Sequence, residues 1–164
     1  MMKIRSLFAA TLLASSSAAF AAAVPFDLNV KAIVPSATGL AVWDNTGWST
    51  SDLNMAYDHN VKDFKTVGGP LNIKGGNTAV KSYLVFEPKL LDASEVIDME
   101  VKVGGVALKV GPAAAVDVAT AAEATGGAIK EVQISAIEPT TGYKEGSYAG
   151  AVHMMFESAP PAAP

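Results

Sequence analysis

The sequence predicts an all-β sandwich. Three observations carry that expectation. Short runs alternate apolar and polar residues with a period of two. Glycine- and proline-rich punctuation separates them. Beyond the first 23 residues, only one segment, 112–125, has the alanine content of a helix. A period of two places one face of an extended strand in a core and the other in water. Many short strands divided by turn residues suit a sandwich. The 164 residues are enough for one domain with a sizeable core.

Residues 1–23 do not belong to that core. Lys3 and Arg5 form a basic start, 7–14 is a short apolar run, and 15–23 is dominated by Ser and Ala. This is the pattern of a secretory signal peptide, with cleavage after Ala21 or after Ala23. The run is too short and alanine-rich for a comfortable membrane anchor. Its removal takes the formal charge from −4 to −6, because it carries two basic residues and no acidic one. A mildly acidic exported chain has no electrostatic footprint for nucleic acid. With no cysteine, disulfides, thiol catalysis and zinc–thiolate sites are excluded. The fold must rely on packing and strand pairing.

The first alternating run is 24–34. Its even positions are all apolar: Val24, Phe26, Leu28, Val30, Ala32 and Val34. The odd positions Asp27, Asn29 and Lys31 are polar. Pro35 then interrupts the ladder, since it has no N–H. Residues 36–39 read as a turn, and 40–43, with Leu40 and Val42, as the first strand of the sandwich proper. Asp44-Asn-Thr-Gly47 is turn chemistry. Leu53, Met55 and Tyr57 alternate with Asn54 and Ala56, which predicts a second strand closed by Asp58-His-Asn60. A short strand at 64–67 precedes Gly68-Gly-Pro70, read as a turn. Leu71 and Ile73 alternate before the turn Gly75-Gly-Asn77.

Residues 81–87 are rich in β formers. In 95–103, Ile97, Met99, Val101 and Val103 share one face, and Gly104-Gly105 turns the chain into a partner at 106–110. The alanine-rich 112–125 predicts a short helix, although Val116, Val118 and Thr120 also suit a strand. Gly126-Gly127 ends it. Residues 129–137 alternate, 139–146 is a loop, and 148–157 is the last strand, with Tyr148, Gly150, Val152, Met154 and Phe156 on one face. About seven core strands follow Pro35. The tail 158–164 is proline-rich.

Few residues carry chemistry. His59 sits in a turn and His153 between methionines, with no carboxylate constellation beside either, so no metal site is expected. No phosphate-binding Gly-rich loop with Lys-Ser/Thr and no Gly-x-Ser-x-Gly elbow occurs. No catalytic residue or cofactor is expected. Asp92, Glu95, Asp98 and Glu100 solvate loop and strand faces. Trp43, Trp48 and Tyr57 offer one alternative, a sugar-stacking platform of an exported carbohydrate-binding module.

The C-terminal strand pair resembles a known family. Glu131-Val-Gln-Ile-Ser-Ala-Ile137 is followed by Pro139, a Thr/Gly loop, and Gly146-Ser-Tyr148-Ala-Gly150-Ala-Val152. This order is similar to that of the major pilins of the alpha-class (alternate chaperone–usher) fimbriae, the colonisation-factor and cable types. Asp27-Leu-Asn-Val-Lys-Ala-Ile-Val34 with Pro35 behind it resembles the family's donor segment. Leu53-Asn-Met-Ala-Tyr57 and Val101-Lys-Val-Gly-Gly105 resemble further blocks.

The resemblance implies an immunoglobulin-like sandwich that lacks its final strand and receives it in trans. The division it implies is a signal peptide at 1–23, a donor strand and hinge at 24–35, a pilin domain at 36–158 and a Pro/Ala tail at 159–164. The donor residues would be Val24, Phe26, Leu28, Val30, Ala32 and Val34, and the hinge Pro35. The acceptor groove would be formed by Leu40, Val42, Val152, Met154 and Phe156. The implied partners are identical pilin subunits, a periplasmic chaperone, an outer-membrane usher and a tip adhesin. The implied location is a surface fimbria reached through the periplasm.

Overall fold

A computed structural model describes residues 39–93 and 95–158. The signal-like segment, the alternating run 24–34, Pro35 and the tail from 159 lie outside the described residues. Twelve strands occur among those described: β1 (Ala41–Trp43), β2 (Tyr57–Asp58), β3 (Asp63–Phe64), β4 (Val67–Lys74), β5 (Val80–Leu84), β6 (Lys89–Leu91), β7 (Val96–Val103), β8 (Val106–Ala107), β9 (Val116–Ala119), β10 (Ala128–Ala136), β11 (Ala149–Gly150) and β12 (Met154–Ser158). Short 3₁₀ turns form at Trp48–Thr50 and Pro112–Ala114, and one helix, α1, at Ala121–Gly126.

The larger sheet has the order β1-β4-β10-β7-β6-β11, with β8 folded onto β7. The smaller has the order β12-β5-β9, and β2 pairs only with β3. All named strand pairs are antiparallel. One core draws on both main sheets: Leu71, Ile73, Val101, Val103, Val132 and Ile134 from the larger, Val80, Leu84, Val118 and Ala119 from the smaller. This is an immunoglobulin-like β-sandwich. On β7 the inward face is Ile97, Met99, Val101 and Val103, as the alternation requires. Gly104 and Gly105, with φ of 58° and 82°, make the tight two-residue turn of a hairpin whose twist matches its strands.

Four readings of the sequence need correction. Gly68-Gly-Pro70 is no turn but the middle of β4. Glu131, opposite Pro70, gives its carbonyl to the Gly104 amide on the β7 side. The backbone of Pro70 therefore faces away from β10, and β1 has already ended there, pairing only as far as Asn72. A missing N–H leaves no ladder bond unmade.

The 112–125 segment is a composite. Val116 and Val118 join β9, and the helix is confined to Ala121–Gly126. Thr120 and Glu123 form a reciprocal capping box that starts it, and Gly127, at φ 84°, ends it.

The last strand is two. Ala149 and Gly150 pair with β6 in the larger sheet, whereas 154–158 pair with β5 in the smaller. At Gly150 a side chain would strike the Lys89 carbonyl oxygen, so the chain can lie against β6 only without one. It then crosses between sheets through residues 151–153. Finally, only Tyr57 of the run 53–57 is in a strand. Ala56 accepts one hydrogen bond, from the Lys65 amide, but among the described residues no strand pairs with 53–55. The sequence pattern also missed the three-residue β6.

Candidate functional site

The sandwich leaves a cleft of about 790 Å³ with an apolar floor and walls that also carry Ser49, Ser51, Asp52, Asn54 and Ser147. Its floor is the inner face of the larger sheet: Val67, Ile134, Met99 and Leu90, from β4, β10, β7 and β6. One wall is the irregular stretch from Trp48 to Met55, and the other runs from Gly146 through Val152 to Met154.

Local chemistry sets the first wall. The Asp44 carboxylate accepts from the Thr46 amide (2.7 Å), the Thr46 hydroxyl (2.8 Å) and the Ser49 amide (2.9 Å). Desolvation pushes the Asp44 pKa up, but the bonds from Ser49 and Thr46 together outweigh it and hold the group at about 2. This turn delivers Trp48 onto β4. The indole lies where a side chain at Gly69 would stand, with Cδ1 2.7 Å from the position of a Cβ. The indole N–H donates to the Pro70 carbonyl at 2.9 Å. Beyond Ser51, residues 52–55 make no hydrogen bond among the described residues.

The second wall ends in β12, whose alternate residues Met154 and Phe156 are half-buried against the core while Met155 and Glu157 face out. The Val85 amide donates to the His153 carbonyl at 2.9 Å. Residues 153 and 85 are thus a hydrogen-bonded pair, and the period of two makes 155/83 and 157/81 pairs of the same kind. The backbone groups of Met154, Phe156 and Ser158 point away from β5. Among the described residues no strand meets them, and β12 is an edge strand of its sheet. Buried Ser82 holds this strand from the other side, its hydroxyl donating to the Met155 carbonyl at 2.9 Å.

Of the five expected groove residues, Val152 and Met154 line the cleft. Leu40, Val42 and Phe156 are half-buried and pack on the same core, but are not among the cleft-lining residues. The six expected donor residues and Pro35 lie outside the described residues. The floor residues and the Trp48–Met55 wall were not assigned to the site from sequence. The unmatched alternation of Leu53 and Met55 was the available signal.

The aromatic platform does not form. Trp48 is spent on β4, Trp43 sits in β1, and Tyr57 packs against His59, Phe64 and Tyr143. His153 stacks at a tilt on Phe86, 4.8 Å away. Among the described residues no group of His, Asp and Glu is placed to hold a metal ion.

The apolar floor of the cleft thus lies beside the edge strand β12. A search among curated protein sequences finds no match. Among solved structures, the chain is similar to the CooA pilin subunit from enterotoxigenic Escherichia coli, with a TM-score of 0.54 and 14% identity over 64% of this chain and 76% of that one. At that identity the likeness speaks for the fold. Residues 24–157 match the family model described as CS1 type fimbrial major subunit. That match spans the alternating run, the sandwich and both walls of the cleft, and the chain belongs to the CS1 type fimbrial major subunit family.

Proposed function

We propose that this fimbrial subunit polymerises by donor-strand exchange, residues 24–34 of one copy filling the cleft of the next. The edge of β12 carries the reading. An unpaired edge beside an exposed apolar floor is unfavourable in water and prone to aggregation. A strand with alternating apolar side chains covers both at once, as in β-strand addition. Burying Val24, Phe26, Leu28 and Val30 at roughly 1.5–3 kcal/mol each gives a gross gain on the order of 10 kcal/mol, before ordering terms. Ala32, Val34 and Pro35 then form the end of the strand and the hinge to the donor's own sandwich. Such head-to-tail contacts do not close on themselves, so they build a filament of identical subunits.

The same edge needs cover before assembly. A periplasmic chaperone lending a strand, an outer-membrane usher where the exchange occurs, and a tip adhesin complete the reading, after removal of residues 1–23. The test is periplasmic co-expression of the chain, with and without residues 24–34, alongside its chaperone. The full chain gives SDS-resistant ladders in unboiled samples. The deleted chain gives a chaperone-bound subunit and no ladder. Normal ladders from the deleted chain overturn the proposal.

A further inference from the structure

The two walls of the cleft are joined beside it by three aromatic rings. One wall ends at Met55, two residues before Tyr57. The other begins at Gly146, three residues after Tyr143. The Tyr57 and Tyr143 rings meet edge to face, 5.9 Å apart at 82°. Phe64, itself a cleft-lining residue, packs edge-on to both, 5.3 Å from Tyr57 and 4.9 Å from Tyr143. The Tyr143 hydroxyl donates to Oδ1 of Asp63 at 2.8 Å. Desolvation, and then the Asp63 carboxylate, push the Tyr143 phenol above its usual range, so it remains a donor at neutral pH. His59 adds a fourth ring, 5.2 Å from Tyr57.

The first wall is seated on β4 at Trp48, but its far end, residues 52–55, has no hydrogen-bond partner among those described. Hairpin β2–β3 is a sheet of its own. Tyr143 lies on the opposite loop, which pairs Lys144 with Glu95 in the connection between β6 and β7 and is closed locally by the Tyr148 hydroxyl on the Lys144 carbonyl. The ring cluster is therefore where the freer end of the first wall is held against the second.

We propose that the rings of Tyr57, Phe64 and Tyr143 form a clasp that fixes the spacing of the cleft walls, making Tyr143 a positioning residue for strand uptake. The inference rests on the reading of the cleft as a strand-binding site. Wall spacing matters because paired strands sit about 4.8 Å apart, and hydrogen bonds weaken steeply away from their preferred geometry.

The absence of native cysteines permits a direct test on the full mature chain. Spin labels at Leu53→Cys and Ala151→Cys, both exposed wall residues, report the wall-to-wall distance. A synthetic peptide of residues 24–34 reports strand uptake. Tyr143→Ala is expected to broaden the distance distribution and to weaken peptide binding about tenfold. Tyr143→Phe, which keeps the rings, should remain narrow and within about threefold of the parent. If Tyr143→Ala does not fold, Tyr143→Leu is measured in its place. A distribution as narrow as the parent's overturns the clasp, and so does a broadened one with unchanged peptide affinity. If the parent itself does not take up the peptide, donor-strand exchange fails, while the distance measurement still judges whether the clasp holds the walls.

Discussion

The indole nitrogen of Trp48 donates a 2.9 Å hydrogen bond to the carbonyl of Pro70. This single bond explains two features that look contradictory in the sequence. A proline sits inside a strand because its backbone faces away from the ladder with β10, toward the indole. A glycine precedes it because the indole occupies the space of its side chain. Gly69→Ala should force Trp48 from this seat and lower stability by about 1–3 kcal/mol. Chemical denaturation, with the Trp48 emission as a second readout, measures it. An unchanged midpoint would contradict the placement of the indole.

That relationship also marks what was and was not legible beforehand. The period of two in 95–103 correctly assigns its inward face, because burial on one side of a sheet leaves no other solution. Gly68-Gly-Pro70 was illegible as strand because its tolerance depends on β1 stopping at Asn72 and on a tryptophan 22 residues away. The break at residues 151–153 was hidden for the opposite reason. Tyr148, Val152, Met154 and Phe156 keep one register across it, although the strand partner changes from β6 to β5. For the cleft, Val152 and Met154 were accessible from alternation. The Trp48–Met55 wall was not, since a strand-like pattern does not say whether a partner strand is present.

Ser82 is fully buried and its hydroxyl holds the Met155 carbonyl. Ser82→Ala should reduce stability by about 1–2 kcal/mol, by leaving that carbonyl without its side-chain partner. Urea denaturation of the Ser82→Ala chain against the parent checks this, and a loss below a few tenths of a kcal/mol would show that the bond contributes little.

The capping box at α1 predicts an acid-sensitive term. The Lys130 ammonium, 2.7 Å away, and then the Thr120 donors hold Glu123 at about 2 against an ordinary 4.5. Its folded-state pKa is depressed, so the folded chain binds fewer protons and stability rises with pH across this window. The contribution is complete above about pH 4.5 and is lost as pH falls toward 2. Because the pair is solvent-exposed, the effect should be small and salt-dependent. Thermal melts from pH 2 to 6 should show a shallower slope for Glu123→Gln than for the parent. Parallel slopes would remove Glu123 from the acid response.

Alternation along 24–34 predicts a strict parity in fibre growth. Leu28→Asp and Val30→Asp each place a charge on the face that enters the cleft, and should block or greatly slow assembly. Asn29→Asp lies on the opposite face and should be nearly silent. Fibre length and yield by electron microscopy decide between this pattern and equal effects at all three positions, which would refute the alternating-face account.

The most direct measurement is a disulfide scan between copies. One chain carries Met154→Cys or Phe156→Cys, and a second, distinguishable by tag, carries Phe26→Cys, Asp27→Cys, Leu28→Cys, Asn29→Cys or Val30→Cys. Because no native cysteine competes, every cross-link is assignable. Donor-strand exchange predicts mixed-tag dimers under denaturing, non-reducing conditions, formed from positions 26, 28 and 30 and lost on reduction. Absence of mixed-tag dimers, or dimers formed equally from positions 27 and 29, would contradict the docking of this strand against β12 of a neighbouring subunit.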